Sequence, residues 1–446
     1  MYKYFPHTPE DIAAMLKATG HVDIDDLFDD IPRDVRFKGE YKVPSAASEL
    51  EVTQYLSTLA KLNQELIIFR GAGAYDVYTP SIIKALTSRQ EFLTSYTPYQ
   101  PEVAQGTLQY IFEYQSMICE LTGMDVSNAS MYDGATAASE AVFMAKAATK
   151  IARVILSETL NPAVLEVIRT YAYYNGIEVV SLKSKDGLLD QSHLDELLKL
   201  GPAHLVVGYP NFYGIVEDYL PASSKIHAAN GLFIMVTNPS LLAVLKAPRD
   251  HGADIVCGDG QSLGVPLSFG GPYVGYLTTT DTLMRKMPGR ICGMTHDVDG
   301  KRGFVLTLQA REQHIRRDKA NSNICSNQSL MALHVAIYLS TMGKQGLVDV
   351  ATRSIAGAHY LYNKMLETKF FRKVYSSPFA HEFVIQCDYD YEKLNQHLLK
   401  KGFLGGLVVP LPQGGHGLLF AVTEKRTKSE MDRLVHEMEV YLDEVL

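Results

Sequence analysis

Residues 131–148 contain a short motif whose residue types could bind an anion. Asp133, Gly134, Ala135 and Thr136 stand at the start of a predicted helix. Free backbone N–H groups at a helix N-terminus, a glycine that permits close approach and a threonine hydroxyl together form a phosphate cup. The same residues also suit an ordinary helix start with Asp133 as the N-cap. The motif alone leaves both interpretations open.

A second motif is the Gly/Ser/Pro-rich loop within residues 253–276, which lies between two apolar runs. In α/β enzymes that use pyridoxal phosphate (PLP), a lysine near this point forms a Schiff base with the cofactor. This loop carries Gln261, and no lysine occurs between Lys246 and Lys286. Because a carboxamide cannot form an imine, the loop lacks the residue on which that chemistry depends.

The apolar run 232–237, which is one run earlier in the chain, lacks a second residue of PLP chemistry. In PLP enzymes of this kind an aspartate at the end of the run faces the pyridinium nitrogen. Here Val236, Thr237 and Asn238 stand at that point. A hydroxyl or a carboxamide cannot stabilise a pyridinium as a carboxylate does. The sequence therefore predicts the scaffold of a PLP enzyme without its covalent chemistry.

Residues 95–115 combine polar and aromatic side chains in an extended loop that leads into a helix. Half-buried tyrosines beside a capped helix would explain this composition without any ligand. Because the loop precedes a helix N-terminus, a binding role stays open as well. The positions concerned are Tyr96, Tyr99, Gln100, Glu102 and Gln105.

Residues 285–325 are rich in arginine, histidine, glycine and asparagine. Arginines such as Arg290, Arg311 and Arg316 can bind a carboxylate or a phosphate through two hydrogen bonds, and glycine-rich loops let them approach a neighbouring site. The alternative is structural. Glu312 and Arg316 stand four residues apart and could form an ion pair on a solvated helix face.

The elements that must position these motifs follow from the hydrophobic pattern. Five apolar runs of β type, separated mostly by helical or Gly/Pro/Asn-rich segments, are too apolar for a sheet with one exposed face. Such alternation is typical of a three-layer α/β domain with a largely parallel sheet. The five runs are residues 152–157, 177–183, 203–209, 232–237 and 253–258.

The pattern changes on both sides of this α/β region. Helices are predicted to begin near Thr8 and Ser48, and the segment between them is irregular and acidic. Two long helices are predicted at about residues 328–341 and 346–367, followed by short strands and an amphipathic C-terminal helix. We therefore expect three parts: an N-terminal extension (1–47), a large α/β domain (48–325), and a linking helix with a small α+β domain (326–446).

Composition limits the classes of function. Of the 446 residues 46% are apolar and 21% are charged, and a net charge of −8 with interspersed basic residues argues against nucleic-acid binding. The five cysteines are scattered without zinc-type spacing, as is typical of buried thiols in a reducing compartment. With no signal-peptide core and no bilayer-spanning apolar run, the sequence predicts a cytoplasmic protein without membrane or metal binding.

Four long motifs resemble the P-protein family of the glycine cleavage system, and the resemblance covers practically the whole chain. More narrowly, the chain is similar to the N-terminal half in organisms where the P-protein is split into two separately encoded subunits. The motifs are SYTPYQPEVAQGTLQ (95–109), ICELTGMDVSNASMYDGATA (118–137), GADIVCGDGQSLGVPLSFGGPYVG (252–275) and LQAREQHIRRDKANSNICSNQ (308–328).

The resemblance implies a fold and a partner. The fold is that of the aspartate-aminotransferase-like PLP enzymes of fold type I, with a mostly parallel seven-stranded sheet and a smaller C-terminal α+β domain. The resemblance also implies a second subunit that carries the Schiff-base lysine and the PLP. Gln261 then occupies the position of that lysine, the cup at Gly134–Thr136 is vestigial, and this chain alone has no catalytic residue.

The resemblance further implies the activity of a glycine dehydrogenase (decarboxylating). Together the subunits would decarboxylate glycine and pass the aminomethyl group to the lipoyl arm of H-protein, with the T- and L-proteins as functional partners. We expect the loop from Tyr96 to Gln105 and the region from Arg290 to Arg316 to face the second subunit. The alternatives are an architectural or regulatory subunit that does not shape the pocket, and an autonomous PLP enzyme that uses a lysine elsewhere.

Overall fold

The computed structural model describes residues 4–445, which form two compact units, residues 4–64 and residues 65–445. Among these residues no helix is both long and apolar enough to cross a bilayer. The first unit contains helices α1 (Pro9–Ala18) and α2 (Glu49–Ala60). It contains no buried residue from position 4 to position 64.

Both helices of the first unit begin where the sequence predicts. Thr8 caps α1 and Ser48 caps α2, and each forms a capping box with an acidic residue three positions later. The irregular segment between them contains a 3₁₀ turn at Ile24–Phe28. Local capping therefore defines these helices, while none of their apolar side chains is fully buried.

The second unit contains the remaining helices and all the strands of the described chain. Its helices are α3 (Ser81–Thr87), α4 (Gln90–Leu93), α5 (Gln105–Thr122), α6 (Gly134–Thr149), α7 (Pro162–Tyr174), α8 (Gln191–Lys199), α9 (Leu220–Ala228), α10 (Gln313–Arg316), α11 (Ser329–Glu367), α12 (Tyr391–Lys400) and α13 (Lys428–Val445). Its strands are β1 (Ile67–Ile68), β2 (Val126–Ser127), β3 (Arg153–Ser157), β4 (Glu178–Leu182), β5 (Ser184–Lys185), β6 (Leu188–Leu189), β7 (His204–Tyr209), β8 (Phe233–Thr237), β9 (Ile255–Asp259), β10 (Gly275–Thr279), β11 (Ile291–His296), β12 (Arg302–Thr307), β13 (Phe371–Lys373), β14 (Glu382–Cys387), β15 (Phe403–Leu404), β16 (Leu407–Pro410) and β17 (His416–Ala421).

The main sheet has seven strands in the order β2-β10-β9-β8-β7-β3-β4. Strands β4, β3, β7, β8 and β9 are parallel, and they are the five apolar runs that the sequence predicts. Strand β10 is antiparallel to both of its neighbours, β2 and β9. The predicted α/β class with a mostly parallel seven-stranded sheet is confirmed.

Both faces of this sheet are covered by helices. Along β3 the side chain of Ile155 packs into one apolar cluster with α5 and α11, while Val154 and Leu156 pack into another with α6 and α7. Successive residues of a strand point to opposite faces, so a strand between two helical layers must be apolar throughout. All residues of β3 and β7 are accordingly buried.

The C-terminal part is the predicted α+β arrangement. Its antiparallel sheet has the order β13-β14-β17-β16, and α11, α12 and α13 contribute apolar side chains to the same cluster. The two predicted long helices are confirmed: the stretch labelled α11 consists of two helical halves that meet at Gly343, whose φ of 60° and ψ of −177° are not helical. Strand β1 pairs with β15, so residues near 67 also join this part. The domain boundaries proposed from the sequence stay a prediction.

Candidate functional site

A cleft of about 390 Å³ lies at the carboxyl ends of the central parallel strands. Its floor includes residues at the ends of β7, β8 and β9, and the start of α6 forms one wall. In open α/β sheets this is the usual position of a ligand site. The segment Gly71–Tyr75 and Glu382 at the start of β14 also line the cleft.

The N-terminus of α6 is occupied by two carboxylates of the chain itself. Asp133 is the N-cap, and its Oδ1 accepts a hydrogen bond from the backbone N–H of Thr136 at 2.8 Å. The Thr136 hydroxyl donates to Asp133 Oδ2 at 2.8 Å. The backbone N–H of Gly134 donates to Asp259 Oδ2 at 2.9 Å. Donors that could have bound a phosphate therefore already bind Asp133 and Asp259.

Gly134 is required by the protein's own packing. A Cβ at this position would lie 2.8 Å from the backbone nitrogen of Asp259 and 3.0 Å from the carbonyl carbon of Gly258. Real side chains do not approach backbone atoms so closely. The glycine thus lets the end of β9 pack against the start of α6, which brings the Asp259 carboxylate to the helix N-terminus.

Gln261, two residues beyond β9, is buried, and three of its hydrogen bonds are made by the side-chain amide. Its Oε1 accepts from the backbone N–H of Tyr75 at 2.8 Å. Its Nε2 donates to the carbonyl oxygens of Tyr75 at 2.8 Å and of Val265 at 2.7 Å. The side-chain amide of Gln261 thus joins this loop to the segment before α3.

Glu382 extends this network to the C-terminal part. Its two carboxylate oxygens accept from the backbone N–H of Ala72 at 2.7 Å and from the hydroxyl of Tyr75 at 2.8 Å. Burial raises the pKa of Glu382 to about 7, although these hydrogen bonds act in the opposite direction. Burial lowers the pKa of the neighbouring His381 to about 4, so its ring is neutral at pH 7.

The end of β8 carries no acid, as the sequence shows. The carbonyl oxygen of Thr237 accepts from Tyr276 Oη at 2.8 Å, and Asn238 Oδ1 accepts from Ser262 Oγ at 2.7 Å. Together with Val236 these residues line the cleft. Among residues 4–445 the cleft lining contains three carboxylates, from Asp133, Asp259 and Glu382, and no lysine or arginine. An anionic ligand is therefore disfavoured electrostatically.

The model of the family described as glycine cleavage system P-protein matches residues 2–438. The chain belongs to this P-protein family. Two relatives are each described as probable glycine dehydrogenase (decarboxylating) subunit 1. The one from Anoxybacillus flavithermus is 47% identical over 446 residues, with 99% of each chain covered. The one from Brevibacillus brevis is 48% identical over 444 residues, with 98% of each chain covered.

Comparison with solved structures gives the same family. A crystal structure of glycine decarboxylase (P-protein) of the glycine cleavage system, in inhibitor-bound form, is 40% identical, has a TM-score of 0.88 and matches over 100% of both chains. The glutamate decarboxylase of Lactobacillus brevis is 13% identical with a TM-score of 0.71, and covers 92% of this chain and 96% of that chain. The latter supports the fold alone, which is that of the PLP-dependent enzymes of fold type I.

In this P-protein family member, the candidate loop before α5 lies outside the cleft. Tyr96 is 81% exposed and Tyr99 is 69% exposed, and Gln100 and Glu102 are exposed as well. Gln105 is the anchored residue of the set. Its side chain exchanges two hydrogen bonds of 2.8 Å with the backbone of Phe304 in β12. The loop and the β11–β12 hairpin therefore form one continuous surface.

The candidate arginines lie in different environments. Arg290 is buried just before β11, and Arg316 is exposed at the end of α10. Arg311 is partly buried and donates to the carbonyl of Met287, while its Nε and one terminal nitrogen are buried without a hydrogen-bond partner. None of the three lines the cleft.

The alternative interpretation of this region, a Glu312–Arg316 ion pair on a solvated helix face, is wrong. Glu312 is 7% exposed and precedes the four-residue helix α10 as its N-cap residue. Its carboxylate lies 3.7 Å from His314 Nδ1, and no ion pair joins it to Arg316 within the described part of the chain. The four-residue spacing applies to longer helices, which this segment does not form.

Sequence reasoning missed three residues that define the cleft: Tyr75, Asp259 and Glu382. Asp259 carried a signal, because a charged residue ends the apolar run 253–258 immediately before the loop of Gln261. Glu382 carried no such signal, because 307 positions of the chain separate it from Tyr75. Only the fold brings it to the segment of Tyr75.

Proposed function

We propose that this chain is subunit 1 of a two-subunit glycine dehydrogenase (decarboxylating) of the glycine cleavage system, in the cytoplasm. A second, PLP-bearing subunit supplies the Schiff-base lysine. One observation carries the proposal: the cleft is where a fold type I enzyme holds its cofactor, yet carboxylates occupy its helix N-terminus and Gln261 uses its amide to bind backbone. The family supports the activity, and these residues do not fit PLP.

The chemistry is assigned to the assembled enzyme. PLP on the second subunit supplies the electron sink for the loss of the glycine carboxylate. The aminomethyl group then passes to the lipoyl arm of H-protein, and the T- and L-proteins act after it. This chain contributes a surface that orients substrate and excludes water at the partner's pocket, a role that needs rigid positioning more than acid–base chemistry.

The surface we assign to this role consists of the 95–105 loop with the β11–β12 hairpin and α10. Its loop presents the exposed aromatic groups of Tyr96 and Tyr99, and α10 presents the exposed Arg316. Tyrosine and arginine are the residue types most enriched where protein surfaces bind one another. The anchoring of Gln105 on Phe304 holds the loop in a defined conformation.

Residues 4–64 support the need for a partner. Apart from the half-buried Ile12 and Leu16, their large apolar side chains, among them Tyr55, Leu56 and Leu59 on α2, are exposed, each of these three by at least 42%. Apolar side chains that recur on one helix face without burial are typical of an interface. We therefore propose that this segment binds the second subunit.

Reconstitution tests the function directly. Glycine-dependent exchange of labelled CO₂ is measured with this chain, subunit 2 and lipoylated H-protein, and each component is omitted in turn. We expect activity only when this chain and subunit 2 are both present. An autonomous PLP enzyme would instead trap cofactor on the isolated chain with borohydride and turn over without subunit 2.

An architectural subunit that does not shape the pocket is the second candidate, because no surface candidate lines this chain's own cleft. Tyr99→Ala separates the two. If the surface shapes the partner's pocket, the variant assembles normally but kcat falls at least about tenfold. Tyr173→Ala, at a tyrosine on α7 that is 79% exposed, is the matched control. Unchanged kcat in both variants, with intact assembly, would favour the architectural role.

A further inference from the structure

The phosphate cup at the start of α6 does not fit the phosphate group of PLP, because the side chain of Asp259 occupies it. The N-terminus of a helix favours an anion through its free N–H groups and its dipole. In this chain the Gly134 N–H donates to Asp259 Oδ2 at 2.9 Å. We propose that Asp259 is an intramolecular replacement for a phosphate group, so that the cup is closed to phosphate-bearing ligands by the chain itself.

Two contacts hold Asp259 in this position. Its Oδ2 accepts from Gly134, and its Oδ1 accepts from the backbone N–H of Gln261 at 2.9 Å. The carboxylate thus bridges the start of α6 and the loop in which the lysine would lie. If the Asp259 side chain rotated away, the N–H groups of Gly134 and Gln261 would both lose this partner. The two hydrogen bonds therefore fix the side chain in this position.

The negative charges at this helix end disfavour a phosphate in addition to the space that Asp259 occupies. Asp133 is the second carboxylate at the same helix end, and its oxygens accept from the backbone N–H and hydroxyl of Thr136. Burial raises the pKa of Asp259 to about 6, and the charge of Asp133 adds to this rise. Asp259 is still mostly ionised at pH 7. A phosphate, which carries between one and two negative charges, would meet two carboxylates in place of free donors.

This inference deepens the proposed function and rests on it in one respect, namely that the working cofactor belongs to another subunit. It adds that restoring a lysine would not restore cofactor binding, because the phosphate position is taken. It also assigns Asp259 a structural role that explains its burial next to another acid.

The test compares two substitutions that each remove one carboxylate from the same helix end. Asp259→Ser opens the cup, whereas Asp133→Ser keeps an N-cap side chain and leaves Asp259 in place. Binding of inorganic phosphate and of PLP to the isolated full-length chain is measured by calorimetry or equilibrium dialysis. Phosphate is the decisive probe because it has no aldehyde that could react with surface lysines. Pyridoxal, which lacks the phosphate, is the ligand control.

We expect Asp259→Ser to bind phosphate and PLP at least tenfold more tightly than the wild-type chain, with no change for pyridoxal. Asp133→Ser should change affinity less than threefold. If Asp133→Ser gains as much as Asp259→Ser, net charge rather than occupancy controls the site and the proposal fails. It also fails if the wild-type chain binds phosphate at the cup as tightly as the Asp259→Ser variant.

Asp259→Asn covers the case in which the serine variant does not fold. It keeps the shape and one acceptor oxygen but removes the charge, so the cup stays occupied and a gain of less than about threefold for phosphate is expected; a gain of tenfold or more would show that charge rather than occupancy controls the site and would contradict the proposal. The outcome of these binding measurements can be interpreted separately from the proposed function. That function is tested by CO₂ exchange with the wild-type chain and fails if the complete system is inactive, whatever the phosphate affinity of this chain.

Discussion

At the scale of single residues, Gln261 has a structural role that a mutation can isolate. We expect Gln261→Met, which keeps the length of the side chain, to lower the free energy of unfolding by about 3 kcal/mol. It removes three buried hydrogen bonds and leaves the N–H of Tyr75 and the C=O of Val265 without these partners, while the C=O of Tyr75 keeps its bond from the backbone N–H of Val77. Urea unfolding followed by far-UV circular dichroism measures the change, since the chain has no tryptophan.

Gln109→Met is the control for this prediction. Gln109 is exposed on α5 and its side chain bonds only to Glu113 in the next turn. Its replacement should change the free energy of unfolding by less than about 0.5 kcal/mol. Equal effects of the two substitutions would mean that the amide of Gln261 does not stabilise the fold.

Glu382 makes stability depend on pH. Its pKa rises from 4.5 to about 7 on folding, so between these values the folded state binds more protons than the unfolded state. The contribution of Glu382 to stability is then fully present below pH 4.5 and is lost as the pH rises through 7. From pH 5.5 to pH 8 this loss amounts to about 2 kcal/mol. Glu382→Gln should remove it, because the amide has no charge to bury.

The measurement is the difference in unfolding free energy between wild type and Glu382→Gln at several pH values. Glu140 and Glu217, whose pKa burial also raises to about 7, titrate in both proteins and cancel in the difference. Parallel pH profiles for the two proteins would show that the Glu382 carboxylate is not protonated preferentially in the folded state.

These residues show what the sequence could predict about the site. The absence of a lysine near Gln261 and of an acid at Val236–Asn238 is visible in the sequence, because it is a matter of residue type. The partners of Gln261 are not, since Tyr75 is 186 positions away. The Glu382–Tyr75 contact spans 307 positions. Contacts of that separation depend on the tertiary packing of distant segments, which no local pattern specifies.

At the scale of elements, the central strands and most helices could be predicted, among them the two halves of α11. The sequence did not show that these halves meet at a single residue with non-helical backbone, Gly343. The first half packs with α5 against the main sheet, and the second half packs in the C-terminal cluster. The break therefore lets one element serve two cores with different orientations.

Gly343→Ala tests this role of the break. The φ of 60° combined with a ψ of −177° is accessible essentially only to glycine, and no atom lies within 4 Å of a Cβ placed there. The cost is thus backbone strain alone, and we expect a loss of about 1–3 kcal/mol in unfolding free energy. Gly106→Ala, in the helical backbone of α5 and equally free of neighbours, should instead raise stability by up to about 1 kcal/mol. The same sign for both variants would contradict this explanation.

At the scale of the whole molecule, the first unit (residues 4–64) is unusual because its sequence has apolar helix faces that the structure does not bury. Helix α2 has good capping and an apolar face, yet Leu56 is 56% exposed. In a chain that works alone such a face would reduce solubility. In one of two obligate subunits it becomes part of the buried interface, which resembles a divided core.

Two neighbouring substitutions on α2 can decide whether this face binds the second subunit. Leu56→Glu places a charge on the apolar face, and Ser57→Glu places the same charge on the other side of the helix, because neighbouring residues lie about 100° apart and Ser57 faces away from Leu59. If the face is buried on assembly, Leu56→Glu should weaken binding to subunit 2 by about 10- to 100-fold, and Ser57→Glu by less than about threefold. Neither should lower the unfolding free energy of the isolated chain by more than about 0.5 kcal/mol, since both positions are exposed. Affinity is measured by titrating labelled subunit 2, and equal affinities for the two variants would show that the second subunit binds elsewhere.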